Sequence, residues 1–251
     1  MPNRPSLWIT VVAALVFGLS ACTGGSGTTA RTSSPSSTTS PTSSVSPTTE
    51  ATTAPVGPRT VAELRSALLE LGDLPTGFAI EPAGGGGDSG GATSSKDARC
   101  AALVKLVNAK TAPGSKASAA VSFSGGQDGP FVDESIDALG SVDVVAGLTT
   151  SFRSSVADCK QLTVAIPGQG SSAMTVAEVS APKFGEHTFA ARLTAAGGPL
   201  AGLEIIQVIA GVKDVIVSLT FVAAVAEDVD SGTEAAVGKA EDVLVAAAPG
   251  A

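Results

Sequence analysis

Histidine is nearly absent: the chain has one, His187, in 251 residues. A single imidazole leaves too few ligands for a tetrahedral zinc set once cysteines are otherwise used. Basic residues are also scarce, 15 Lys+Arg against 23 Asp+Glu. Nucleic acid is excluded as a partner on that ground, because phosphate binding needs a basic stripe. Long apolar runs are missing apart from residues 7–19, and that run is short of the about 20 residues a membrane span needs. Cysteine is limited to Cys22, Cys100 and Cys159. An odd number in an exported chain leaves one over for another task.

What is present at the start has the layout of a secretory signal: Arg4, the apolar run, then Leu19-Ser20-Ala21-Cys22. The tetrapeptide LSAC resembles the lipobox of bacterial lipoproteins. That resemblance implies a leader at 1–21, a diacylglycerol on the Cys22 thiol, added acyl chains such as palmitate, and Cys22 as the mature N-terminus. The alternative is an ordinary signal peptide that ends near a cysteine. With Arg4 removed, 14 Lys+Arg remain against 23 Asp+Glu, a net charge of −9. Anionic headgroups repel such a domain, so the lipid has to supply the membrane affinity, and two chains anchor where one is marginal.

Residues 22–59 form a tether of Ser, Thr, Pro, Gly and Ala, charged only at Arg31, Glu50 and Arg59. It cannot bury enough apolar surface to offset its ordering entropy, so disorder is expected. Its reach is about 35 Å as a flexible coil and about 110 Å as extended polyproline. The composition is also that of O-glycosylated stalks.

Residues 60–251 read as one extracytoplasmic α+β domain. Thr60 and Glu63 make a T-x-x-E capping box, and Val61, Leu64, Leu68 and Leu71 predict a helix ending at Gly72. A short strand is expected at 78–81, a glycine and serine loop at 84–95, and a second helix at 95–109 with Cys100, Leu103, Val104 and Val107 on one face. The third helix, 141–158, carries Val145, Leu148, Phe152 and Val156 and reaches Cys159. Both cysteines therefore lie on core-facing stripes, which favours a disulfide in an oxidising compartment, two free buried thiols being the alternative. Period-two alternation predicts strands within 117–138 and at 162–166, 174–180, 187–194, 203–210 and 215–222. A closing helix is expected at 230–247. Connections this short allow antiparallel hairpins and not parallel crossovers, so the fold class is an antiparallel meander with helices packed on one face.

The segment Leu68-Leu69-Glu70-Leu71-Gly72-Asp73-Leu74-Pro75-Thr76-Gly77-Phe78, of the form LL-x-x-x-DLP-x-GF, follows a lipobox and stalk. One cysteine then opens a helix and another closes the next. Together these resemble actinobacterial cell-surface lipoproteins with a PknH-like extracellular sensor domain. The resemblance implies an antiparallel sheet with helices and a cleft for an unidentified ligand. Two disulfides are usual in the kinase's domain, and this chain has cysteines for one.

Three catalytic signatures are present but incomplete. Gly87-Asp88-Ser89-Gly90-Gly91 spells the nucleophile motif of chymotrypsin-like proteases, but a triad needs a histidine and an orienting aspartate. His187 follows Ser89, in the wrong chain order for that family. Gly85, Gly87 and Gly90 satisfy G-x-G-x-x-G without the parallel βαβ unit that a dinucleotide requires. The adjacent acidic pairs Asp133/Glu134 and Glu241/Asp242 point apart and read as solvated faces, not as a glycosidase pair. His187 itself reads as an exposed strand-edge residue. The expectation is a non-enzymatic ligand-binding or sensor-like module without cofactor or metal. Its partners are the membrane, through the Cys22 lipid, and a small-molecule or cell-wall ligand. A carrier of apolar molecules is the competing reading, and an envelope hydrolase a more distant one.

Overall fold

The computed structural model describes residues 58–81, 91–127 and 129–246. Cys22, the tether up to residue 57, Ser89 with Gly85, Gly87 and Gly90, and residues 247–251 lie outside the described residues.

Helix α1 (Val61–Ala67) opens on the expected box: Thr60 Oγ1 accepts the Glu63 N–H at 3.2 Å, and Glu63 Oε2 accepts the Thr60 N–H at 2.6 Å. It ends earlier than its leucine spacing predicts. Leu68 takes extended backbone, and the next N–H, on Leu69, donates to the Glu134 carboxylate at 2.7 Å. One 3-10 turn, Leu71–Asp73, follows. Then come β1 (Ala79–Ile80), β2 (Ala92–Ser94), a 3-10 turn at Ala98–Cys100, α2 (Ala101–Val107), β3 (Ala117–Ser124), β4 (Phe131–Ala138) and α3 (Val142–Asp158). The chain continues through β5 (Gln161–Ile166), β6 (Gly170–Val179), β7 (Glu186–Ala195), β8 (Glu204–Val212), β9 (Val215–Val222) and α4 (Ala226–Ala246).

The nine strands form one antiparallel sheet in the order β1-β3-β4-β9-β8-β7-β6-β5-β2. Strands β5 to β9 are consecutive neighbours, and the β3/β4 hairpin joins them through β4 and β9. Between β8 and β9 the turn is only Lys213-Asp214, with Lys213 at φ 55°. Such a tight return permits an antiparallel neighbour and nothing else.

The expectation of helices on one face is corrected by the strands' own alternation. Along β8, Ile206, Val208, Ala210 and Val212 join Leu64 and Ala67 of α1 and Ala236, Val237, Ala240 and Leu244 of α4 in one core. The intervening Ile209 joins Leu103 of α2 and Val145, Phe152 and Val156 of α3 in a second core. Successive side chains of a strand point to opposite faces, so the sheet is covered on both. The reason is visible in β7 to β9, where Phe189, Leu193, Ile209 and Ile216 turn away from the α1/α4 core while Ala190, Val208, Ala210, Val217 and Leu219 turn into it. Strands of that kind need burial on both faces. Helix α3 approaches so closely that a Cβ on Gly211 would stand 2.8 Å from Val145 Cγ1.

Two crosslinks fix the ends of elements. Cys100 and Cys159 are disulfide-bonded with Cα atoms 4.6 Å apart, as their stripes predict, and both are buried. Arg59, assigned from composition to the tether, is part of the fold and only 8% exposed. Its guanidinium donates to Asp214 Oδ1 at 3.1 and 3.2 Å and to the Leu244 carbonyl at 2.8 Å. The Asp214 carbonyl in turn accepts the N–H groups of Leu139 and Gly140 at 2.8 and 3.2 Å. The chain's entry, the β8/β9 turn, the end of β4 and α4 thus meet at one residue.

Candidate ligand groove

Helix α3 lies over β6 to β9, and the α2/α3 face of β3 and β4 is left partly open. Sequence alternation puts polar side chains there. In β4, Val132, Glu134 and Ile136 turn to the α1/α4 face, so Asp133, Ser135 and Asp137 turn to the other. The register extends the surface into rows: Ser122 faces Asp133, then Thr220, then Gln207, and Ala120 faces Ser135, then Ser218, then Ile209. Directly opposed residues share a face about 5 Å apart. These rows are the floor of a half-enclosed groove of about 610 Å³.

The walls are mainly apolar, with Glu81, Lys110 and Thr111 at their edges. Leu148 and Phe152 come from α3, Leu106 and Val107 from α2, and residues 109–113 continue from α2, with Ile80 and Glu81 at the β1 side. Phe152 is fixed edge-on against Phe189, ring centres 5.6 Å apart, and Arg153 sits 5.2 Å from the same Phe189 ring. The wall beside the floor is therefore a positioned surface.

Carboxylates dominate the charge. Asp137 is 1% exposed, and its Oδ1 has no hydrogen-bond partner. Burial holds the Asp133 carboxyl above its usual range, a hydrogen bond from Ser122 opposing and the nearby Glu81 charge adding to the shift. Asp133 is half-buried on the groove floor, and its sequence neighbour Glu134 is buried, contrary to the reading of the two as an exposed pair. Glu134 is 1% exposed on the opposite side of the sheet, where it closes α1. Glu241 and Asp242 are exposed, as expected.

The other singled-out residues stand apart from the groove. His187 is exposed at the start of β7, at φ 51° beside a register shift between Glu186 and Phe189, and does not line it. Cys22 and Ser89 are outside the described residues. The LL-x-x-x-DLP-x-GF segment is architectural: Leu68 and Leu69 are buried, Asp73 accepts from Lys239 Nζ at 2.7 Å, and Gly77 takes φ 110°. A smaller hollow of about 220 Å³ lies on the α1/α4 face between Asp73–Phe78 and Asp228–Gly232. Among the described residues, no group of three or more His, Cys, Asp or Glu could hold a metal ion, and no helix is long and apolar enough to cross a membrane.

Fold and groove together define a class: a two-faced antiparallel α+β sandwich with a ligand-sized groove between one helical layer and the sheet. No protein-family model and no curated protein matches the sequence. Among solved structures, the extracellular domain of PknH from Mycobacterium tuberculosis is similar, with a TM-score of 0.53 and 16% identity over 75% of this chain and 98% of that one. At that identity the likeness is one of fold, and the chain has a PknH-like extracellular-domain fold.

Proposed function

We propose that the protein is a sensor-like binding module of the cell envelope, held on the outer face of a membrane by lipid on Cys22, and that the groove takes its ligand. The observation that carries the reading is the groove itself. It is lined by residues of five strands and two helices, on a part of the sheet that the described helices leave open. Its volume falls within the about 300–1,000 Å³ of small-molecule sites. Among the described residues its lining offers hydroxyls, carboxylates and Lys110 but no histidine or cysteine, which suits holding a ligand better than turning one over. LSAC at 19–22 and the likeness to an extracellular domain support the envelope address.

A carrier for plain hydrocarbon fits less well, because it would strip water from Ser122, Asp133, Ser135 and Thr220 without replacing their hydrogen bonds. The test is a thermal-shift screen of cell-wall fragments and lipids on the wild type and on Ser218→Phe, which places a ring on the groove floor. Stabilisation by a screened compound in the wild type and its loss in Ser218→Phe is the expected pattern. Equal stabilisation of both would place the ligand elsewhere.

A further inference from the structure

We infer that the ligand of this groove is an organic cation, an ammonium group carried on an apolar body; this deepens the reading of the groove as the ligand site and rests on it. The buried Asp137 oxygen motivates the choice. A carboxylate oxygen removed from water and left without a donor is costly, and such orphans in a folded protein call for a missing partner. Asp137 lines the groove, so the partner it lacks can arrive as ligand.

The surroundings select the sign of charge. Among the described residues, Glu81, Asp133 and Asp137 line the groove with one cation, Lys110, the side chain of Glu134 being turned to the opposite face. An anionic ligand would meet three like charges. Asp133 and Asp137, four residues apart on one strand, place two carboxylates on the same face about 13 Å apart. Between and beside them, Ser122, Ser135, Ser218 and Thr220 present hydroxyl acceptors. An ammonium carries three donors and no acceptor, the complement of that floor. A metal ion is the poorer occupant, since no group of three potential ligand residues converges among the described residues. Leu106, Val107, Leu148 and Phe152 then face the part of the ligand that carries no charge.

The probes are n-octylammonium, n-octyl glucoside and octanoate below their micelle concentrations, titrated into the full chain by calorimetry and followed by amide chemical shifts. Octylammonium is expected to perturb the lining residues of β4 and β9 and to bind at least about tenfold more tightly than the other two, the factor lost with one charge-assisted hydrogen bond. Asp137→Asn should lower that affinity about tenfold and leave octyl glucoside unaffected. Should Asp137→Asn not fold, Asp133→Asn, half-buried on the same floor, is expected to change the affinities in the same direction. Equal affinity for the three probes at the groove overturns the cation and leaves the groove reading standing. So does an octylammonium affinity that the folded aspartate variants do not change. Absence of octylammonium shifts at the groove also overturns it, and the groove is then judged separately by the Ser218→Phe screen.

Discussion

Glu134 holds the end of α1 with one oxygen and leaves the other, Oε1, without a partner. Burial raises its carboxyl to about 7, the Leu69 N–H and the Lys239 charge opposing and the Asp73 charge adding. The folded protein therefore keeps a proton that the unfolded chain releases near its ordinary value of 4.5. The group's stabilisation is fully present below about 4.5 and is lost as pH rises through about 7, roughly 3 kcal/mol by linkage. Glu63, Asp73 and Asp97, all held below their usual range, act in the opposite sense and lose their contribution in more acidic solution. Glu134→Gln keeps an acceptor for Leu69 and removes the titration. Denaturant unfolding at pH 5 and pH 8 should show the stability difference shrinking by about 2–3 kcal/mol in the variant; an unchanged difference would mean Glu134 is ionised in the fold. Arg59→Met keeps the stem and strands Asp214 Oδ1 and the Leu244 carbonyl, and is expected to cost about 2–4 kcal/mol by the same measurement. Neither role shows in sequence. Glu134 reads as half of a surface pair and Arg59 as part of a polar tether, because their partners, 65 and 155 residues away, are set by the fold alone.

Elements with a strong period were legible to within a few residues: α3, β5 to β9, and α4 after its first turn. α4 starts at Ala226, before the expected residue 230, with Glu227 and Asp228 in the first turn, where acidic side chains favour a helix N-terminus. Strand β2 was missed in the glycine and serine loop, since three small residues have no alternation to detect; only its pairing with β5 makes it a strand. The disulfide was legible because each cysteine continues an apolar stripe. It joins the start of α2 to the end of α3 across a separation of 59 residues, worth about 4 kcal/mol in the chain-entropy account. Reduction should lower the thermal midpoint by many degrees, and Cys100→Ser should match Cys100→Ser/Cys159→Ser, since either removes the same bond. Two alkylatable thiols in native, unreduced protein would contradict it. Gly211→Ala is expected to cost about 1–3 kcal/mol by forcing α3 away from β8, as overpacked cores do.

At the scale of the whole molecule, three layers stand where two are expected, because Phe189, Leu193, Ile209 and Ile216 turn away from α1 and α4 and need a cover of their own. The resemblance implies a cleft, but the residues of the groove are not legible in the sequence. Its floor reads as an ordinary solvent face, and its walls come from helices far away in sequence. The envelope address rests on residues 19–22, where Cys22→Ser is expected to give unlipidated protein, released or left as uncleaved precursor, on intact mass and fractionation. An unlipidated mature chain in wild-type cells would contradict the anchor.

The sheet has a hollow on each face, and a ligand can sit in only one of them if the groove is the binding site. Amide shifts mapped on the full chain with whichever cell-wall fragment or lipid stabilises it decide between them. Perturbations at Ser122, Asp133, Ser135, Ser218 and Thr220 are the predicted result; perturbations confined to Asp73–Phe78 and Asp228–Gly232, on the α1/α4 face, would contradict it.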